Sequence, residues 1–426
     1  MSLKEKLSSH PLLETLITVK GNSRYALYLE PLWAIPFFMY TPFVSVYMAA
    51  LLLSDQQIGL IASIFMFSRA VTAIFAGAIT DKLGRRLSTF IFDTLSWTIP
   101  CLLWAFSQNF WWFVIAAAFS GLTQVPHTSW MCLLVEDAKK EVLVNVFSLL
   151  HIVTQMAIIF APISALMVDR MSVIPALRIL YLFAAILMTT KFLILLKFST
   201  ETEVGKTRLR ETKGMSIWRI MGGYGEIVKK IFASRGMVLS LTITAVFNIV
   251  GMISGSFFGL YVTGTLLIPE YFLAYFPIIR AFIVTTFIYW LQPKMNKFGF
   301  RNPILIGLII FTAGHILLIF TPENSLFLLI IFILCDAVAF SFVIPRTDFL
   351  TQILIEPAER ARISGIIFMI VLGMSIPFGY IAGLLSNMDR RFPFILIVAI
   401  FIIMFVFINI NKKMLEAVQE NVEQGA

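Results

Sequence analysis

Long apolar runs separated by short polar turns set the organisation of this chain. A bilayer span needs about 20 mostly apolar residues. The runs predict twelve such helices: α1 31–53, α2 57–79, α3 87–107, α4 110–134, α5 142–167, α6 175–198, α7 237–262, α8 270–292, α9 303–320, α10 325–346, α11 361–385 and α12 392–410. That pattern is an all-α polytopic membrane protein. One long polar stretch, 199–235, divides the spans six and six, which predicts an N-terminal six-helix bundle over 1–198, a cytoplasmic linker and a C-terminal bundle over 236–426. Inside the linker, Ile217, Ile220, Met221, Tyr224, Ile227, Val228 and Ile231 share one face of a 3.6-period helix. Arg219, Glu226, Lys229 and Lys230 lie opposite, so the periodicity predicts an amphipathic helix resting on the inner leaflet.

Composition removes whole classes of function. Of the 426 residues 59% are apolar and 13% charged, against about one quarter charged in soluble domains. A soluble core cannot hide so much apolar surface, which excludes a soluble enzyme, a nucleic-acid binder and a disordered scaffold. The net charge of +9 looks at first like a basic patch, but its placement says otherwise. Of the 33 Lys and Arg, 24 fall on the side of the N-terminus, four on the other side and five within spans. By the positive-inside rule both termini are cytoplasmic, in a multi-pass protein of the cell (inner) membrane with no cleavable signal peptide. Cys101, Cys132 and Cys335 sit in apolar runs without metal-ligand or disulfide spacing. No zinc, Ser/His/Asp or paired-carboxylate constellation appears, so neither an enzyme nor a cofactor or metal is expected.

The two halves repeat one another. Asp81-Lys82-Leu83-Gly84-Arg85-Arg86 after α2 matches Asn296-Lys297-Phe298-Gly299-Phe300-Arg301 after α8 at a shift of 215. Val125-Pro126-His127-Thr128 matches Ile344-Pro345-Arg346-Thr347 at 219, and Glu136-Asp137-Ala138-Lys139-Lys140 matches Glu356-Pro357-Ala358-Glu359-Arg360 at 220. Even-numbered repeats run parallel about an axis along the membrane normal, a plan that lets two bundles rock about a midplane site. The motif after α2 also carries a resemblance. Gly77-Ala78-Ile79-Thr80-Asp81-Lys82-Leu83-Gly84-Arg85-Arg86 resembles the loop 2–3 signature of the major facilitator superfamily, G-x-x-x-D-(R/K)-x-G-R-(R/K), and Leu53-Ser54-Asp55-Gln56-Gln57-Ile58-Gly59 resembles its first outer loop. The resemblance implies a secondary carrier working by alternating access without ATP hydrolysis.

Physical reasons stand beside that resemblance. Gly77 permits close approach of another helix, and Gly84 suits the turn into α3. Asp81 ends α2 against an unfavourable dipole and wants a positive partner. The N-terminus of α11 near Ala361, with Arg85 or Arg362, is the expected source of one, forming a cytoplasmic latch.

Ionisable residues within a bilayer are functional candidates by default. Arg69 in α2 and Arg280 in α8 are counterparts at one depth, suited to clamping an anion; they resemble the paired arginines of nitrate porters. Asp336 in α10 competes as a structural partner for Arg280. Asp93 in α3 and Lys191 in α6 are expected to form a salt bridge, with a proton relay through Asp93 as the other reading. Gln124 and His127 on α4, and His151 and Gln155 on α5, pair at helical spacing, and Arg346 is the α10 counterpart of His127. Asn248 precedes a Gly251, Gly255, Gly259 stripe in α7 that predicts close helix packing.

Ala157-Ile158-Ile159-Phe160-Ala161-Pro162-Ile163-Ser164-Ala165 is similar to the antiporter signature G-x-x-x-G-P-x-x-G with alanine for each glycine. The sequence therefore predicts a monomeric carrier in the lipid bilayer that exports a small organic solute, with a proton as a possible coupling ion. Import of a small anion on Arg69 and Arg280 is the alternative, and a lipid flippase, a channel and a membrane enzyme rank below it.

Overall fold

A computed structural model describes residues 11–138, 140–222, 224–295, 299, 301–353 and 360–415. The described residues form helices and turns with no strand among them. Eleven helices are long and apolar enough to cross a membrane: α1 Gly21–Ala50, α2 Asp55–Leu83, α3 Arg85–Ala105, α5 Asn145–Met171, α6 Val173–Phe198, α7 Arg235–Gly264, α8 beginning within Glu270–Phe287, α9 Arg301–Ile319, α10 within Leu326–Thr347, α11 within Gly365–Met388 and α12 Phe392–Ile410. The remaining expected span, α4, is helical over 110–135. Ser120, Thr123, Gln124, His127, Thr128 and Ser129 make its second half too polar to qualify by composition alone.

Local sequence explains where these helices start, stop and bend. Ser54 and Gln57 form a reciprocal capping pair at the start of α2: the Ser54 N–H donates to Gln57 Oε1 at 2.9 Å, and the Gln57 N–H donates to Ser54 Oγ at 3.3 Å. Asn109 caps α4 by accepting from the Trp111 N–H. Gly84 separates α2 from α3 at φ +84°, a backbone region closed to most L-residues. Prolines set the irregular turns, because each removes one i→i−4 hydrogen bond. Pro162 follows the 3₁₀ turn Ile158–Phe160, Pro126 follows Gly121–Thr123, and Pro100 follows the π turn Thr94–Thr98.

The chain divides into two compact units, Met1–Thr41 with Phe67–Gly222, and Pro42–Met66 with Gly223–Ala426. The dividing points thus fall inside α1 and α2 as well as in the linker. In the first unit, a short helix at Pro11–Thr18 precedes α1. Its Leu12 and Leu16, with Val19, pack against Leu134 of α4 and Val146, Leu149 and Leu150 of α5. The linker helix Glu203–Glu211 belongs to this unit too, capped by Thr202 Oγ1 on the Gly205 N–H.

In the second unit, the helix Tyr224–Ala233 has the apolar face that the periodicity predicts, but protein covers it. Ile227 and Ile231 share a core with Leu241 and Ala245 of α7 and Ile363, Ile366, Ile367 and Val371 of α11. The expected seat on the inner leaflet is thereby corrected for these residues. Burying two isoleucines against three more and a valine on α11 is worth more than a partly hydrated headgroup contact.

Candidate functional site

The motif after α2 builds an ion network. Arg85, nearly fully buried, donates from Nη1 to Asp81 Oδ1 at 2.8 Å and from Nε and Nη2 to the Glu136 carboxylate at 3.1–3.2 Å. Thr202 Oγ1 also donates to Glu136. Glu201 accepts from the backbone N–H groups of Arg85 at 2.8 Å and Arg86 at 3.1 Å, neutralising the N-terminal end of α3. A Cβ on Gly84 would meet Glu201 Oε2 at 2.6 Å, so a side chain there would push the carboxylate off these N–H groups, in addition to the strain at its positive φ. Arg86 donates from Nε to the Leu196 carbonyl at 2.8 Å, and Lys82 Nζ reaches the Met215 carbonyl at 3.0 Å. Asp81 therefore has Arg85 as its positive partner. The side chain of Arg362 lies outside the described residues, as do Asn296, Lys297, Phe298 and Phe300 of the second copy. Gly77 has nothing within 4 Å of where a Cβ would stand among the described residues.

Two polar groups lie within the spans of the first unit. Arg69 on α2 and His127 on α4 are near enough for the arginine charge to act on the imidazole. α2 and α4 meet closely there: a Cβ on Gly121 would fall 2.2 Å from Ser68 Cβ, Ser68 Oγ donates to the Ala118 carbonyl and Thr72 Oγ1 to the Gly121 carbonyl. Gln124 is buried beside this crossing with Oε1 lacking a hydrogen bond. On α5, Gln155 is half-buried and His151 exposed.

The second group holds Lys191, whose Nζ donates to Glu30 Oε2 of α1 at 2.7 Å. It also lies 5.7 Å from the Trp33 ring centroid and 5.5 Å from that of Trp130, at cation–π range. The hydrogen-bonded acid on Lys191 is thus Glu30. Asp93 is buried nearby, within the field of both charges.

The second unit carries its own set. Arg280 Nε donates to Asp336 Oδ2 at 2.8 Å, and its guanidinium stands 4.4 Å from the Phe340 ring centroid. Arg346 is 8% exposed. Its Nη1 donates to the Phe342 carbonyl at 2.9 Å, its Nη2 makes no hydrogen bond, and no carboxylate pairs with it among the described residues. Asn248 Oδ1 accepts from Ser375 Oγ at 3.0 Å, joining α7 to α11. Of the α7 glycines, Gly259 packs closely, with Ser45 Oγ 3.2 Å from its Cβ position, whereas Gly251 and Gly255 face open space. The expected close-packed stripe thus shrinks to one glycine.

A family model described as Major Facilitator Superfamily matches residues 33–376. The chain belongs to the major facilitator superfamily. Solved structures of transporters share its fold. A nucleoside transporter, NupG, is 15% identical at a TM-score of 0.70, covering 91% of this chain and 98% of its own. A POT family transporter in complex with 5-aminolevulinic acid is 12% identical at 0.69, covering 92% and 96%. A peptide transporter POT in complex with sulfate is 12% identical at 0.68, covering 96% and 99%. No curated protein matches the chain in sequence.

In this major facilitator protein, three site groups escape a reading of the sequence. Glu30 stands one residue before the predicted start of α1 and so counts there as a loop residue. Glu201 lies in the linker, with no local pattern to tie it to Gly84. Asp55 accepts from Arg390 Nε at 2.9 Å and from Ser386 Oγ at 2.6 Å, a contact between residues more than 330 positions apart.

Proposed function

We propose that this transporter is a monomeric secondary carrier that moves a small organic solute bearing an anionic group across the cytoplasmic membrane by alternating access, with both termini cytoplasmic. The observation that carries the reading is Arg346. A guanidinium buried in an apolar helix with no counter-ion among the described residues is costly, and a carboxylate or phosphate on the solute supplies the missing charge through Nη2, which makes no hydrogen bond. Arg280 is the weaker choice, because Asp336 already answers it. Arg69, beside Gln124 and His127, is a separate intramembrane cation of the first unit. The open Gly251–Gly255 face of α7 leaves room without adding charge. Solved relatives named for nucleosides, and for complexes with 5-aminolevulinic acid and sulfate, support small polar cargo. For direction we infer export, supported by the alanine form of the antiporter frame: Ala157, Ala161 and Ala165 are all buried.

A thermal-shift screen of the purified full-length protein tests the anion. Small dicarboxylates, inorganic phosphate and nucleoside monophosphates are compared with sugars, neutral amphipaths and hydrophobic cations. One anionic class is expected to raise the unfolding midpoint of wild type and to leave Arg346→Gln unmoved. An equal shift in Arg346→Gln, or shifts from cations alone, overturns the reading. Uptake of that anion into inside-out but not right-side-out vesicles is the expected result for export.

A further inference from the structure

In the first unit Glu30 is paired with the Lys191 ammonium, and Asp93 is buried where the charges of both act on it. Glu30, Asp93 and Lys191 are 8%, 8% and 5% exposed. Lys191 donates to Glu30 and lies against the faces of Trp33 and Trp130. Asp93 makes no hydrogen bond among the described residues, and the charges acting on it are Lys191 from α6 and Glu30 from α1. From α4 the neighbouring group is the Trp130 indole, which does not titrate. The π turn Thr94–Thr98 begins immediately after Asp93, a local irregularity that recurs at functional sites.

With both carboxyls ionised the cluster carries one negative charge in an apolar surround, which is unfavourable. One bound proton cancels it. A metal cation is the poorer solution, because the Lys191 ammonium repels it and no group of three or more metal-ligating side chains forms among the described residues.

We propose that Glu30, Asp93 and Lys191 together hold one exchangeable proton in the first unit of this carrier. The proposal rests on the carrier reading above and deepens it. The proton arrives from water, forms a single O–H bond on one of the two carboxyls and leaves to water again. No other bond changes. Lys191 stays charged throughout, shared between the carboxylate that remains ionised and the two indole faces.

Infrared difference spectra of the full-length protein in lipid vesicles test this without any solute. They are taken across a pH step in the neutral range, where exposed carboxyls stay ionised. Wild type is expected to gain a protonated-carboxyl C=O band on the acid side. Asp93→Asn and Glu30→Gln are each expected to lose it, because either leaves one carboxylate for one ammonium. Lys191→Met removes the cation and is expected to roughly double the protonated-carboxyl band, an increase that misfolding does not produce. Absence of the band from wild type, its persistence in both neutralised variants, or no increase in Lys191→Met overturns the proposal. Because no solute enters the measurement, a failed solute screen and a failed proton assignment are separate results.

Discussion

Asp55 at the first turn of α2 is clasped by Arg390, with Nε to Oδ2 at 2.9 Å and Nη2 to Oδ1 at 3.2 Å. Ser386 adds a third hydrogen bond, and the carboxylate also sits at the positive end of its own helix. Residues 42–66 are thereby tied to the end of α11 within one compact unit. Asp55→Ala leaves Arg390 without its acid and is expected to cost about 1–3 kcal/mol, less than the roughly 3–5 kcal/mol of a fully buried pair because Arg390 keeps some water. A thermal unfolding midpoint lowered by several degrees checks it. Ser386→Ala, which removes one neutral donor, is expected to cost about 1 kcal/mol.

The glycines predict opposite outcomes for one kind of substitution. A Cβ on Gly59 would stand 2.4 Å from the Gly379 carbonyl oxygen and 2.7 Å from Gly383 Cα, both rigid backbone atoms. Gly59→Ala is expected to destabilise by about 1–3 kcal/mol through overpacking. Gly77→Ala and Gly251→Ala meet nothing within 4 Å and are expected to be neutral or to gain up to about 1 kcal/mol of helix propensity. Unfolding midpoints of the three single variants separate the cases.

Arg85 serves two carboxylates, so its loss and that of one partner differ. Arg85→Ala leaves Asp81 and Glu136 facing each other without a cation and is expected to cost about 3–5 kcal/mol. Asp81→Ala keeps the Glu136 fork and is expected to cost less. Arg85→Lys cannot form the fork with Glu136 and is expected to fall between them. The order of midpoints, Asp81→Ala above Arg85→Lys above Arg85→Ala, is the measurement.

The Arg280–Asp336 pair calls for a double-mutant cycle. Both side chains retain solvent contact, so the coupling is expected to be about 1 kcal/mol. Asp336→Asn alone frees Arg280 for an anion and is expected to raise the thermal shift produced by the anionic probe that Arg346 recognises. An unchanged shift assigns Arg280 a structural role only.

Ile231 is fully buried between the linker and α7/α11. Ile231→Ala is expected to destabilise by about 2–4 kcal/mol, a cost that a helix merely resting on lipid would not pay. Earlier proteolytic cleavage within Tyr224–Ala233 in the variant is the accompanying readout.

Hydrophobic run length made most of the fold legible, because a bilayer demands it of every span. Even α4, whose polar second half weakens that signal, is helical over 110–135. Periodicity also marked the apolar face of the linker helix, yet an amphipathic pattern does not say what covers it, and Ile227 and Ile231 are covered by protein. The helix Pro11–Thr18 was missed because eight residues carry too little apolar surface to stand out. Among the intramembrane charges the Arg280–Asp336 pair was legible from matched depth, whereas the acid bonded to Lys191 was not. Glu30 escaped because it lies at the edge of a predicted span, and Asp55–Arg390 because pairing over such a separation leaves no local trace.

The linker has one further consequence, for slack. Glu201, Thr202, Thr212, Met215 and Trp218 are each held to the first unit, the last by an edge contact with Phe75 at 5.6 Å. Tyr224–Ala233 is docked on the second unit from its other end. A connector of 37 residues by sequence is therefore anchored along most of its length, and α1 and α2 carry the chain across the same division at 41/42 and 66/67. A glycine–serine segment spliced in at Met221–Gly222 breaks none of these contacts, whereas the same segment at 201–215 pulls apart contacts that Arg85 needs.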